Sequence, residues 1–178
     1  MNETWRLDTL AYLGLYLLIA AFIVMGRILP LSNGDGFPVP DLLLGLTLAW
    51  LLRRAAHVPA LAIALVFLIE GLFVMRPPGL WALAVLLGSE FLRRREAVVR
   101  EMNLLLEWAM VASVMLAMTL AYRLALVIVM VPRDPLDLSV AKLAVTILTY
   151  PLMVWLLQTV LRVRKPATGE VDELGRKL

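Results

Sequence analysis

The sequence predicts an all-α integral membrane protein, a bundle of six transmembrane helices with both termini cytoplasmic, and three observations carry that expectation. Hydrophobic residues make up 62% of the 178 and charged residues only 17%, far from the averages of soluble globular domains. The apolar residues gather into six runs separated by turn chemistry. The basic residues fall unequally between the breaks, and in short loops such asymmetry sets orientation.

The first run, Leu7 to Leu29, is about 23 residues long, exceeds the roughly 7 to 15 of a secretory signal core, and lacks a small-x-small cleavage site, so it is expected to stay as a span. Ser32-Asn33-Gly34-Asp35-Gly36 ends it. The second run, Pro40 to Leu52, and the fourth, Leu80 to Leu92, are about 13 residues each, near 20 Å against roughly 30 Å of hydrocarbon. Each must borrow flanking residues or stop short, and paired short spans can also mark a transporter site. The third, Val58 to Met75, stops at Pro77-Pro78-Gly79, and the fifth, Leu104 to Val131, at Pro132-Arg133-Asp134-Pro135, residues that fix or free φ and end helices. The sixth, Val140 to Leu161, contains Pro151, which removes a backbone donor and kinks a helix. These spans leave room for one domain over residues 1–178, with 162–178 as a short cytoplasmic tail.

With the N-terminus inside, Arg6, Arg53, Arg54, Arg93, Arg94, Arg95, Arg100, Arg162, Arg164, Lys165, Arg176 and Lys177 fall on the cytoplasmic side, twelve of seventeen basic residues. Arg27, Arg76, Arg133 and Lys142 fall outside and Arg123 within a span. Trp5, Trp50, Trp108 and Trp155 lie near inner helix ends and Trp81 near an outer one, as indoles at headgroup level do. The net charge of +3 therefore reads as a topology signal, and no nucleic-acid partner is expected because no basic stripe with exposed aromatics forms.

Glu70 inside LAIALVFLIEGLFVM is the first candidate functional residue, since an unpaired charge in hydrocarbon costs at least about 2.5 to 3.5 kcal/mol. Glu70 and Arg123 fall at similar depth and form a candidate intramembrane charge pair, read either as a helix clamp or as a proton or substrate station. A partner protein supplying a missing group is a third possibility. In the fifth span Ala109, Ser113, Ala117, Ala121 and Ala125 recur at every fourth position. Small-xxx-small rows let helix backbones approach closely in lipid, so this is a candidate packing face, internal or toward another membrane protein. In the inner loop FLRRREAVVREMN, Glu90 precedes Arg93 and Arg94 at helical spacing. With Arg95 and Arg100 these arginines form a cytoplasmic basic loop suited to anionic headgroups or a cytoplasmic partner.

The chain has no cysteine and one histidine, His57, which excludes thiol chemistry and a histidine cluster. No phosphate loop, Ser-His-Asp set, paired aspartates or HExxH is present. No metal, cofactor or catalytic residue is expected, and the chain is expected not to be an enzyme.

The stretch PDLLLGLTLAWLLRRAAHVPALAIALVFLIEGLFVMRPPGLWALAVLL resembles the rod shape-determining MreD family. The anchors are Pro40 with Asp41 opening a span, Trp50 near its end, Arg54 after it, Pro59 opening the next, the acid at Glu70, and the Gly79-Leu80 turn. Pro151 and the basic tail extend the resemblance over most of the chain. Glu stands at 70 where many relatives would carry Asp, which lengthens the carboxylate's reach. The resemblance implies a bacterial inner-membrane scaffold of the cell-elongation complex, with MreC, MreB, RodA and a class B penicillin-binding protein as partners, and a fold similar to substrate-binding subunits of energy-coupling-factor transporters. Such a transporter subunit is the alternative, although Leu7 to Leu29 lacks the AxxxA pair those subunits use to dock.

Overall fold

The computed structural model describes residues 3–28, 38–77, 79–132 and 134–159. Every regular element in them is helical: α1 (Glu3–Ile28), α2 (Leu42–Leu51), a short 3₁₀ turn (Ala55–His57), α3 (Ala60–Phe73), α4 (Leu80–Arg94), α5 (Glu96–Glu101), α6 (Leu104–Ile128) and α7 (Leu136–Thr159). The six apolar runs thus fall on α1, α2, α3, α4, α6 and α7, and the arginine-rich loop adds the short α5. Three helical stretches, Thr9–Arg27, Leu104–Ile128 and Leu136–Thr159, are long and apolar enough to cross a membrane, while α2 and α3 are shorter apolar helices. The glycine-rich break at 32–36, Pro78, Arg133 and the basic tail lie outside the described residues.

Helix boundaries follow from local chemistry. Asp41 opens α2 by accepting a hydrogen bond from the Leu44 amide at 3.1 Å, and Asn103 opens α6 by accepting one from Leu106 at 2.9 Å, each satisfying an amide the first helical turn leaves orphaned. Pro59 precedes α3 with extended backbone, where its missing N–H costs nothing. Gly79 holds φ +82 before α4, a left-handed conformation that glycine adopts without steric cost.

The C-terminal ends of α3 and α6 are the same device. Arg76 N–H donates to Gly71 at 3.0 Å and Val131 N–H to Leu126 at 3.1 Å, the six-to-one closure of a Schellman motif. Met75 and Met130 hold the left-handed position, both at φ 55, where a side chain costs about 1–2 kcal/mol. Met75→Gly or Met130→Gly is therefore expected to raise stability by about 0.5 to 1 kcal/mol, part of the gain being lost to the freer unfolded chain. A higher unfolding temperature in detergent for either variant checks this.

The core centres on α2, in which Leu43 through Leu51 are all buried. A helix apolar on every side belongs inside a bundle, and α2 packs against α7, α1 and α4. This answers the length problem posed by the sequence, because ten residues enclosed by neighbours need not meet the hydrocarbon thickness alone. α3 packs on α4 and α1, and α6 on α4 and α7. Outward faces are apolar, with Phe22, Leu124, Ile128 and Leu148 exposed.

Candidate functional site

Two charged clusters and one groove contain most of the candidate residues. The first cluster lies at the bundle end where α1 and α3 finish and α2 begins. Glu70 is fully buried. Its Oε1 accepts a hydrogen bond from Arg27 of α1 and lies 3.7 Å from the Arg76 guanidinium just beyond α3. Arg27 also reaches Asp41 at 3.4 Å, and the Asp41 amide donates to Thr146 Oγ1 of α7 at 2.9 Å. Four segments are thereby joined through one carboxylate and its arginines.

The pairing anticipated between Glu70 and Arg123 is not the one formed. Arg123 donates instead to the Ser139 hydroxyl and to the Asp134 carbonyl at 3.3 Å. Azimuth decides the partner: α3 packs against α1 and α4, whereas α6 packs against α4 and α7. Arg27 and Arg76, placed in the sequence as topology signals, are the residues that neutralise Glu70.

The second cluster lies at the opposite end, where α2 finishes and α6 begins. Arg53 and Glu107, 0% and 1% exposed, pair at 3.1 Å, with both terminal nitrogens of the arginine donating to Glu107 Oε1. Tyr150 of α7 donates its hydroxyl to the same oxygen at 2.7 Å, and Arg53 also donates to the Ala49 carbonyl at 2.7 Å. An arginine expected in the loop as an orientation signal is thus folded back into the core. Glu107, one turn into the fifth apolar run, reads in the sequence as a member of an interfacial salt bridge; its ion pair with Arg53 is instead buried. Nearby, Trp50 is fully buried and packs edge-on against Tyr16, whose hydroxyl donates to Thr47 at 3.0 Å, the Thr47 hydrogen being engaged with Leu43.

Among the loop arginines, Arg93 is structural. It pairs with Glu90 at 2.8 Å and donates to the carbonyls of Ala55 and Val58 at 2.9 and 2.7 Å, so that α4 holds the turn between α2 and α3. Arg54 shapes that turn through its backbone, accepting from the His57 amide. Arg94 is exposed, Arg95 lies over the Phe91 ring, and the Arg100 side chain lies outside the described residues.

Pro151 sits within α7 as expected. Having no N–H, it leaves the carbonyl four residues earlier, that of Ile147, without its helical donor. The Trp108 indole N–H of α6 occupies that carbonyl at 2.8 Å. Trp108→Phe is expected to cost about 1–3 kcal/mol by orphaning a carbonyl. Adding Pro151→Ala restores a helical donor and should remove most of that cost; equal costs of Trp108→Phe in both backgrounds, measured by unfolding in detergent, contradict the account.

The small-residue row proves to face outward. Ala109, Ser113, Ala117 and Ala121 are exposed and Ala125 is half-buried, so among the described residues no neighbouring helix covers the first four. Ser113, Ala117 and Ala121 line an apolar groove of about 480 Å³ between α4 and α6, with Gly88, Phe91 and Met118 on its other walls and floor.

Among the described residues no group of three or more acidic or histidine side chains is placed to hold a metal ion. No family model, characterised protein or solved structure matches this chain.

Proposed function

We propose that this chain is a six-span protein of the bacterial inner membrane with cytoplasmic termini. It acts as a non-enzymatic scaffold of the cell-elongation complex, required for rod shape and lateral peptidoglycan synthesis. In this reading it binds MreC directly and helps organise RodA, its class B penicillin-binding partner and MreB. One observation supports it most: the row of small side chains along α6 is exposed beside a groove, although such rows gain their stabilisation only when another helix approaches closely. A face of this kind is suited to a helix from another membrane protein.

The test is affinity purification from the native membrane in mild detergent, with mass spectrometry of the proteins recovered. MreC and the RodA synthase are expected with the wild-type chain. Ala117→Leu is expected to reduce their recovery at least about tenfold while leaving the unfolding temperature unchanged, because position 117 is exposed in the groove and a leucine there obstructs an incoming helix. Unchanged partner recovery removes the support that the groove gives. The alternative, a substrate-binding subunit of an energy-coupling-factor transporter, draws support from a polar cavity of about 400 Å³ beside Arg76 and Trp81. Recovery of transporter ATPases or a retained vitamin, in place of MreC, selects it.

A further inference from the structure

The cavity beside Glu70 has an unusual balance of donors. Arg27, Arg76, Arg123 and Lys142 line it against Asp41 and Asp134, and Glu70 behind Arg27 leaves the group of described residues with one excess positive charge. Arg76 stands out within it. Its guanidinium carries five N–H donors, approaches Glu70 at 3.7 Å and lies 5.4 Å above the Trp81 ring, yet none of the five donates a hydrogen bond to a described residue. Trp81 also lines the cavity, and its buried indole N–H has no acceptor among the described residues. A wall of this kind offers its donors to the acceptor oxygens of an anion, and the guanidinium fork matches phosphate.

An apolar cleft adjoins the cavity. Arg123, Leu126, Pro132 and Asp134 border both it and a second cleft of about 830 Å³ between the end of α6 and the start of α7, whose other walls include Leu120, Leu124, Val127 and Met130. A charged chamber beside an exposed apolar cleft offers an amphiphile both a polar and an apolar contact, and basic pockets between membrane helices take lipid headgroups. We propose that the cavity and cleft form one binding site for an anionic phospholipid, with its phosphate against Arg76 and Arg123 and an acyl chain along Leu124 and Val127. The site lies at the bundle end opposite the Arg53–Glu107 pair and is distinct from the α4/α6 groove, so it does not depend on the scaffold reading.

The experiment is native mass spectrometry and thermal unfolding of the purified, delipidated full chain in neutral detergent, titrated with dioleoyl phosphatidylglycerol, dioleoylglycerol or inorganic phosphate. Phosphatidylglycerol is expected to remain bound and raise the unfolding temperature, with dioleoylglycerol at least about tenfold weaker, the loss of one charge-assisted contact. Arg76→Gln and Arg123→Gln should each weaken the lipid about tenfold. Lys142→Gln, at a side chain 41% exposed, should weaken it less and serves should either arginine variant fail to fold. Leu124→Gln, on an exposed face, should weaken the lipid without touching any charged contact. Equal binding of dioleoylglycerol, or wild-type affinity in the folded charge variants, overturns the proposal. Equal protection by inorganic phosphate overturns the lipid assignment in favour of a free anion.

Discussion

Glu107→Leu is expected to be the most destabilising single change in this protein, lowering stability by about 3–5 kcal/mol, the cost of leaving one member of a buried ion pair uncompensated. Arg53 is fully enclosed; both terminal nitrogens donate to Glu107 Oε1, and only Nη1 has a second acceptor, the Ala49 carbonyl. Tyr150 loses its acceptor in the same change. The charge cannot be withdrawn to water without opening the seam between α2, α6 and α7. Removing both charges, with Arg53→Met and Glu107→Leu together, is expected to recover most of the loss, since apolar residues of similar volume commonly replace a buried pair without penalty. Unfolding temperatures in one detergent for the two single changes and the double change decide it. Strictly additive losses contradict the pairing.

Glu70→Ala is expected to come second, at about 1–3 kcal/mol, the scale of charge-assisted hydrogen bonds lost from one acceptor. The smaller figure follows from geometry: the Arg27 and Arg76 side chains are 20% and 27% exposed, and Arg27 keeps Asp41. Glu70→Gln retains an acceptor oxygen for Arg27 and should lose less than half as much. A Glu70→Ala variant as stable as wild type shows that the arginines find other acceptors. A Glu70→Gln variant as unstable as Glu70→Ala shows that charge outweighs hydrogen bonding at this site.

The linear pattern of the chain reveals a good deal of this architecture. Each apolar run becomes a helix because lipid-like sequence, bounded by proline and glycine, leaves few other ways to satisfy the backbone. Gly79, Asp41 and Pro59 perform at helix starts the roles their chemistry dictates. What hydropathy does not encode is rotation about each helix axis. Glu70 therefore meets Arg27 and Arg76 instead of Arg123, and the alanine row of α6 faces outward instead of seating a neighbour within the chain. Arg53 was obscured for a related reason: an arginine at the end of a run looks the same in sequence whether it snorkels outward or turns inward to Glu107. The carboxylate was the better indicator, since Glu107 has no comparable route to the surface.

The bond between Trp108 and the Ile147 carbonyl has a consequence for how this sequence can drift. Pro151 and Trp108 lie on different helices, yet the acceptability of a change at one depends on the residue at the other. A lineage that first loses the proline regains an amide for the carbonyl and leaves the indole free to vary. A lineage that first loses the indole passes through an ancestor with an unsatisfied carbonyl in the middle of α7. The order of events is therefore constrained, and chains related to this one should more often be found with an aromatic donor lacking its proline than with the proline lacking its donor.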